Sequence, residues 1–271
     1  MKTSPWIRRA LIALALLVVA FVLIAPLATV FVNAFADGLP AFAKALRTPE
    51  TRASVRLTLM IVIIVVPIHV VIGVAAAWAI TRFEFRGKAL LVALIDMPFT
   101  VSPVVAGLML VLLFGARGAL GPWLEEHDWH VVYAVPGLIL ATIFVTFPFV
   151  ARSLIPLMVS LGKDEEEAAE TLGAGGWAIF FRVTLPNIKF GLLYGAVLCT
   201  ARALGEFGAV SVVSGHVRGS TVTLPLHVEI LYNEYKQVAA FSAASLLTLV
   251  ALITLVGKVW LERRTGQSRA H

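Results

Sequence analysis

The sequence has little of what a soluble enzyme of its length carries. One cysteine, Cys199, occurs among 271 residues and lies inside an apolar run, which excludes a disulfide framework and a cysteine-based metal site. Charged residues make up only 14% of the chain, whereas 59% of its residues are hydrophobic. A compact soluble fold cannot hide so much apolar side chain, so the composition indicates an integral membrane protein.

The chain also lacks a phosphate-binding loop. The pattern G-x4-G-K-[ST] is absent, because the three Gly-Lys pairs are followed by Ala, Asp and Val. Any ATP-driven process must therefore take its energy from a partner. The net charge of +6 is compatible with nucleic acid, but the basic residues stand at the edges of apolar runs. That placement favours membrane topology and argues against a nucleic-acid partner.

Six apolar runs are long enough to cross a lipid bilayer, which takes roughly 20 helical residues. We therefore predict an all-α integral membrane protein with six transmembrane helices. The first run could be mistaken for a signal peptide, but it exceeds the core length of such peptides and is interpreted as a retained helix. The runs are Ala10–Phe35, Leu57–Ile80, Ala89–Phe114, Val131–Ala151, Phe190–Val213 and Val238–Val256.

The distribution of Lys and Arg predicts the orientation. With the N-terminus inside, the inner segments hold 14 of the 22 basic residues and the outer loops hold 7. This excess predicts that both termini are cytoplasmic. Arg52 and Arg56 oppose it, since they fall in an outer loop.

Acidic residues are concentrated in one predicted inner loop. Five of the sixteen lie within the seven positions 164–170, and a Gly-rich stretch follows at 173–176. Carboxylates favour the start of a helix, and glycine ends one, so we expect two short helices joined by a turn, the second ended by Pro186. The segment is either a solvated surface loop or a helix presented to a cytoplasmic partner.

The spacing within this loop carries a family resemblance. Glu167-Ala168-Ala169, three residues, Gly173, nine residues and Val183-Thr184-Leu185-Pro186 resemble the E-A-A-x3-G-x9-I-x-L-P signature of ABC-importer permeases, with Val in place of Ile. The resemblance implies the type I ABC importer (MetI-like) permease fold.

In that family this loop forms the coupling helix, which sits in a groove of the ATP-hydrolysing subunit. The resemblance implies one membrane domain over 1–271, with a permease core at 57–260 and the coupling loop at 160–187. The chain itself would be non-catalytic and bind no cofactor or metal, because ATP and Mg belong to the partner ATPase. The implied coupling residues are Glu167, Ala168, Ala169, Gly173 and Pro186.

A second resemblance concerns the cargo. The stretches Arg202–Ala209, Ser211–Gly219 and Thr223–Tyr235 resemble the oxyanion branch of these permeases, and most closely the sulfate/thiosulfate type. This implies a heterodimer with a related T-type permease, two ATPase subunits and a periplasmic sulfate-binding protein, in the bacterial inner membrane. Molybdate or another oxyanion is the alternative cargo.

Polar groups inside the apolar runs are candidates for the translocation pathway. Arg202 and Glu206 are four residues apart, so they can form an ion pair that either locks the bundle or lies beside an anion path. Asp96 precedes Pro98 and Pro103, which are expected to break or kink the third helix.

Two other groups of residues have structural interpretations. His69 is expected to be a packed core histidine. The Glu125–Asp128 cluster is interpreted as an exposed acidic loop rather than a metal site.

Two rival functions remain at this stage. A membrane enzyme could use Asp96, Glu206 and His69 as acid–base groups, but no nucleophile or metal cluster accompanies them. An ion-driven secondary carrier could use Arg202 and Glu206 as a relay. A carrier would work alone in vesicles, whereas an ABC permease would be inert without its ATPase.

Overall fold

The computed structural model describes residues 5–265, and this part of the chain is helical, without a strand. It contains twelve helices. The first six are α1 (Pro5–Ala34), α2 (Gly38–Leu46), α3 (Pro49–Arg82), α4 (Lys88–Thr100), α5 (Pro103–Phe114) and α6 (Gly121–Glu126). The others are α7 (Val135–Leu161), α8 (Asp164–Thr171), α9 (Gly176–Leu204), α10 (Gly208–Ser214), α11 (Leu224–Asn233) and α12 (Gln237–Thr265).

The all-α membrane fold is confirmed, with five long apolar helices and one bent pair. The long helices are α1, α3, α7, α9 and α12, and each is long and apolar enough to cross a membrane. The third predicted run is the bent pair α4 and α5, which meet at an angle of 110°. The chain turns at Val101 and Ser102, where the backbone is extended, because a residue before proline avoids helical angles and Pro103 begins α5.

The predicted bounds of the fourth and fifth helices were wrong. The fourth helix runs from Val135 to Leu161, ten residues beyond the predicted end at Ala151. The fifth begins at Gly176 instead of Phe190 and ends at Leu204, while residues 208–214 form the separate helix α10. The end of α7 and the start of α9 extend past the apolar runs, since backbone hydrogen bonding does not stop where hydrophobicity does.

Pro186 does not end a short helix, contrary to the prediction. It lies inside α9, two residues after a π-helical turn at Phe180–Thr184. A π turn is a known way for a helix to accommodate a residue that disrupts the regular hydrogen-bond ladder. As a result α9 continues without a break from the predicted loop into the bundle.

The core lies where α3, α7 and α9 pack together. At one end, buried side chains of α3 and α7 pack with α10 and α11, around Val65, Leu138 and Leu226. At the other end, α3 and α7 pack with the first part of α9, around Leu154, Met158 and Ile188. The helix α12 closes the bundle against α9, α11 and the second half of α1.

Small residues allow the closest helix contacts. A methyl group added at Gly195 of α9 would overlap the Ser153 hydroxyl and lie 3.2 Å from the Cα atom of Val150, so α9 and α7 meet backbone to backbone. Gly191 and Gly208 are similarly enclosed, by Leu157 and Pro103, as small residues at helix contacts often are. Gly205 is not: it is exposed, and a methyl group added there would lie 3.8 Å from its nearest neighbouring atom.

Candidate functional site

The acidic segment folds as one short helix closed by a glycine. Helix α8 has four carboxylates in its first turn and ends at Thr171. Gly173 follows with φ of +86°; its N–H donates to the Glu170 carbonyl at 2.9 Å, and the Ala174 N–H donates to the Ala169 carbonyl at 3.1 Å. This pair of bonds is a Schellman motif, in which glycine supplies the left-handed residue. The predicted glycine turn is therefore present.

The outer side of this segment is an exposed mixed surface. Glu167 is exposed and makes no ion pair among the described residues. Farther along the chain Leu172 is 89% exposed, Trp177 74% and Phe181 57%, and the rings of Trp177 and Phe181 stack with centroids 6.0 Å apart. Large apolar side chains beside an acidic helix are typical of a protein-binding surface. We call residues 160–187 the coupling segment, after the role that the family resemblance implies for them, and Glu167, Leu172, Trp177 and Phe181 its outer face.

The inner side of the same segment is tied to the bundle. Glu166 forms an ion pair with Arg82 at the end of α3, with 2.7 Å between Oε2 and Nε. Its other oxygen, Oε1, accepts a hydrogen bond of 2.8 Å from the Thr184 hydroxyl in α9. Glu165 accepts a hydrogen bond from Asn187. Sequence reasoning did not identify Arg82, because its partner lies 84 positions away.

Arg202 and Glu206 form an ion pair, with 2.5 Å between Nη1 and Oε2. Arg202 stands in the last turn of α9, while Glu206 lies in the break between α9 and α10, not inside the helix as predicted. The Glu206 side chain is only 1% exposed, and its Oε1 accepts the Ala209 N–H at 2.9 Å. Arg202 remains 31% exposed, so its cationic group is the accessible partner.

A second ion pair joins two membrane helices. Asp96 of α4 lies 2.5 Å from Nε of Arg152 in α7, and Arg152 is 54% exposed. Arg152 lies within α7, one residue beyond the predicted end of the fourth apolar run at Ala151. Sequence reasoning named Asp96 but not Arg152.

His69 is buried, as predicted. It is 1% exposed, with Nδ1 2.8 Å from the Val65 carbonyl and Nε2 3.1 Å from the Ile143 carbonyl. Asp96, Glu206 and His69 are not joined by any of the contacts described. The Glu125–Asp128 residues form the end of α6 and the following turn, and no group of three possible metal ligands occurs among residues 5–265.

The segment between α10 and α12 is ordered by polar contacts. Arg218 pairs with Glu234, and Lys236 lies 3.0 Å from the same carboxylate, so that these cations lower the pKa of Glu234. His227 is buried at 6% exposure, and its Nε2 lies 2.9 Å from the Thr51 hydroxyl of α3. His227 therefore joins α11 to α3.

We expect protein stability to fall on acidification, in part through His227. Burial lowers the pKa of His227 below its ordinary 6.5, although Glu50 opposes the shift. The unfolded chain thus binds a proton at His227 more tightly than the folded chain does. The contribution of His227 to the free energy of unfolding is therefore complete above about pH 6.5 and is lost as pH falls below it. The difference between the thermal unfolding midpoints in detergent at pH 7.5 and pH 5.5 measures this loss of stability.

The matched variants are His227→Gln and His130→Gln. His227→Gln keeps a polar partner for Thr51 and should show a smaller drop between the two pH values. His130 is exposed, so His130→Gln should keep the full drop. Equal pH dependence in His227→Gln and the unsubstituted protein would contradict the assignment.

Residues 69–267 match the model of a family described as binding-protein-dependent transport system inner membrane component. The chain is 55% identical to the sulfate transport system permease protein CysW of Synechococcus elongatus over 263 residues, which cover 97% of this chain and 92% of that protein. It is 52% identical to CysW of Escherichia coli over 96% of this chain and 89% of that protein. It is also 34% identical to the sulfate transport system permease protein CysT of Escherichia coli, over 93% of this chain and 91% of that protein.

Among solved structures, a chain of a bacterial alginate ABC transporter, in complex with alginate pentasaccharide-bound periplasmic protein, superposes with a TM-score of 0.80. The match covers 96% of this chain and 95% of that chain at 17% identity. At that identity the likeness concerns the fold alone.

Proposed function

The chain belongs to the binding-protein-dependent transport system inner membrane components, and we propose that it is the permease subunit of an ATP-driven importer of sulfate or thiosulfate. The identities of 55% and 52% to proteins named as sulfate transport permeases support sulfate over molybdate as the cargo. The permease itself performs no bond chemistry. It changes between outward- and inward-open states that partners at its two faces favour in turn.

The observation that carries the coupling proposal is the outer face of the coupling segment. Glu167 lies on α8, whose E-A-A-x3-G spacing matches the family signature, and the exposed side chains of Leu172, Trp177 and Phe181 follow it within the same segment. A groove on an ATPase subunit would bury Leu172 and Trp177 and pair with Glu167. Closure of two ATPases on ATP binding would then move the helices that continue from this segment.

The proposed assembly contains this chain, a related T-type permease, two ATPase subunits and a periplasmic sulfate-binding protein. The 34% identity to CysT supports a related second permease. Both termini are proposed to be cytoplasmic, on the basis of the Lys and Arg distribution. This places the coupling segment on the ATPase side, while ATP and Mg are bound by the partner.

We propose that the two ion pairs of the bundle line the pathway of the anion. Arg202 and Arg152 are each more exposed than the carboxylate they pair with, so the cation is the accessible member of each pair. A cation beside the path lowers the barrier for a dianion such as sulfate. Glu206 and Asp96 would hold these cations when the anion has passed.

Uptake of labelled sulfate tests the function. A strain that lacks this subunit should lose uptake and regain it with the cloned chain, and unlabelled thiosulfate should compete more strongly than molybdate. Reconstituted alone in vesicles, the chain should transport nothing. Uptake by the chain alone would indicate a secondary carrier, and stronger competition by molybdate would overturn the assigned cargo.

A further inference from the structure

The coupling segment has two sides, and its inner side is held by a small group of partly buried polar contacts. The side chain of Arg82 is 9% exposed and that of Glu166 16%, so their ion pair has limited contact with water. Arg82 also donates from Nη1 to the Met158 carbonyl of α7 at 3.2 Å. Thr184, which is 2% exposed, donates to the remaining oxygen of Glu166. We call Arg82, Glu166 and Thr184 the brace.

The brace connects four helices at one point. Arg82 is the last residue of α3, Met158 is in the last turn of α7, Glu166 is in α8 and Thr184 lies within α9. Helix α3 has 34 residues, about 51 Å, which exceeds the roughly 30 Å of hydrocarbon, so its terminal Arg82 can lie outside the lipid. Helices α3, α7 and α9 are therefore joined to the coupling helix through the side chains of Arg82 and Thr184, which both contact the Glu166 carboxylate.

Helix α8 depends on such contacts for its position. It has eight residues and none of them is buried, whereas isolated helices of this length are unstable in water. Its two connections to the chain contain Gly162, with φ of +70°, and Gly173, with φ of +86°. Neither glycine packs against the bundle: a methyl group added at Gly173 would meet no atom within 4 Å, and one at Gly162 would meet only the side chain of Asp164. Side-chain contacts such as those of Glu166 therefore link α8 directly to the bundle.

We propose that Arg82 and Glu166 are positioning residues that transmit movement of the coupling helix to α3, α7 and α9. The inference rests on the proposed function, because it concerns how ATP hydrolysis by a partner drives transport. It also accounts for part of the acidic cluster. Glu166 holds the helix to the bundle, while Glu167 on the outer face remains available to the ATPase.

Charge exchange tests this proposal in the complete transporter reconstituted in liposomes. Arg82→Glu and Glu166→Arg each place like charges together and should lower the sulfate transported per ATP hydrolysed by roughly five- to tenfold. ATP hydrolysis and capture of the ATPase subunits should persist, because the outer face is intact. The double exchange restores opposite charges and should recover most of the lost coupling.

The matched control is Glu170→Gln, which removes a charge from the same helix at an exposed position without an ion pair among the described residues. It should keep the transport-to-hydrolysis ratio of the unsubstituted protein. If Arg82→Glu fails to enter the membrane, Glu166→Arg and the double exchange decide the question. Normal coupling in Glu166→Arg, or a double exchange no better coupled than Glu166→Arg, would overturn the brace. Absence of sulfate transport in the unsubstituted complex would overturn the proposed function instead.

Discussion

Replacement of Gly173 by proline is expected to abolish sulfate uptake while the protein remains in the membrane. Proline holds φ near −65°, whereas Gly173 has φ of +86°, and proline has no N–H to donate to the Glu170 carbonyl. The turn after α8 must therefore change its backbone conformation, and we expect the loss of coupling to lower uptake by at least about tenfold. Uptake, membrane abundance and ATP hydrolysis by the assembled complex are the measurements.

A graded series at the same position separates backbone strain from general damage. Asparagine tolerates the left-handed region better than alanine, so uptake should fall in the order Gly, Asn, Ala, Pro. Gly175→Ala is the control, because Gly175 has φ of −71° and no atom within 4 Å of an added methyl group. Uptake in Gly173→Pro equal to that of the unsubstituted protein would exclude a coupling role for this turn.

Local patterns in the sequence predicted much of this fold. The apolar runs located every long helix, because burial in lipid requires a continuous apolar stretch. The glycine at 173 located the turn after α8, since the left-handed backbone there excludes most other residues. The spacing of Arg202 and Glu206 predicted an ion pair, which forms even though Glu206 lies beyond the end of the helix.

Contacts between distant segments could not be predicted in the same way. Arg82 and Glu166, or Asp96 and Arg152, meet only because α3, α4, α7 and α8 pack in one particular arrangement. Helix ends were missed for a related reason: α7 and α9 continue into polar sequence, where hydropathy no longer marks a helix. The prediction that Pro186 ends a short helix was wrong for a local reason, because the π turn before it keeps α9 continuous.

Loss of the Arg202 cation is expected to destabilise the protein and to stop transport, and the two effects can be separated. Arg202→Met leaves the Glu206 carboxylate buried at 1% exposure without its charged partner. Removing one member of a buried pair typically costs about 3–5 kcal/mol. We therefore expect low membrane abundance, a lower thermal midpoint in detergent and no sulfate uptake.

The double variant Arg202→Met, Glu206→Gln distinguishes a structural lock from a pathway residue. Glutamine removes the buried charge but keeps a carbonyl oxygen for the Ala209 N–H, which now donates at 2.9 Å to Glu206 Oε1. Stability should therefore return close to that of the unsubstituted protein, because replacing both partners avoids an unpaired buried charge. If Arg202 attracts the anion, uptake should stay low in this stable variant, since the cation is still missing.

Arg202→Lys completes the comparison, because it keeps the positive charge but not the planar group that matches a carboxylate. A pathway cation predicts that this variant retains more uptake than the stable double variant. Rates must be compared per molecule of assembled transporter, so that differences in abundance do not enter. A double variant that transports sulfate as fast as the unsubstituted protein would assign the ion pair to structure alone, and the anion path would then have to rely on other groups, such as Arg152.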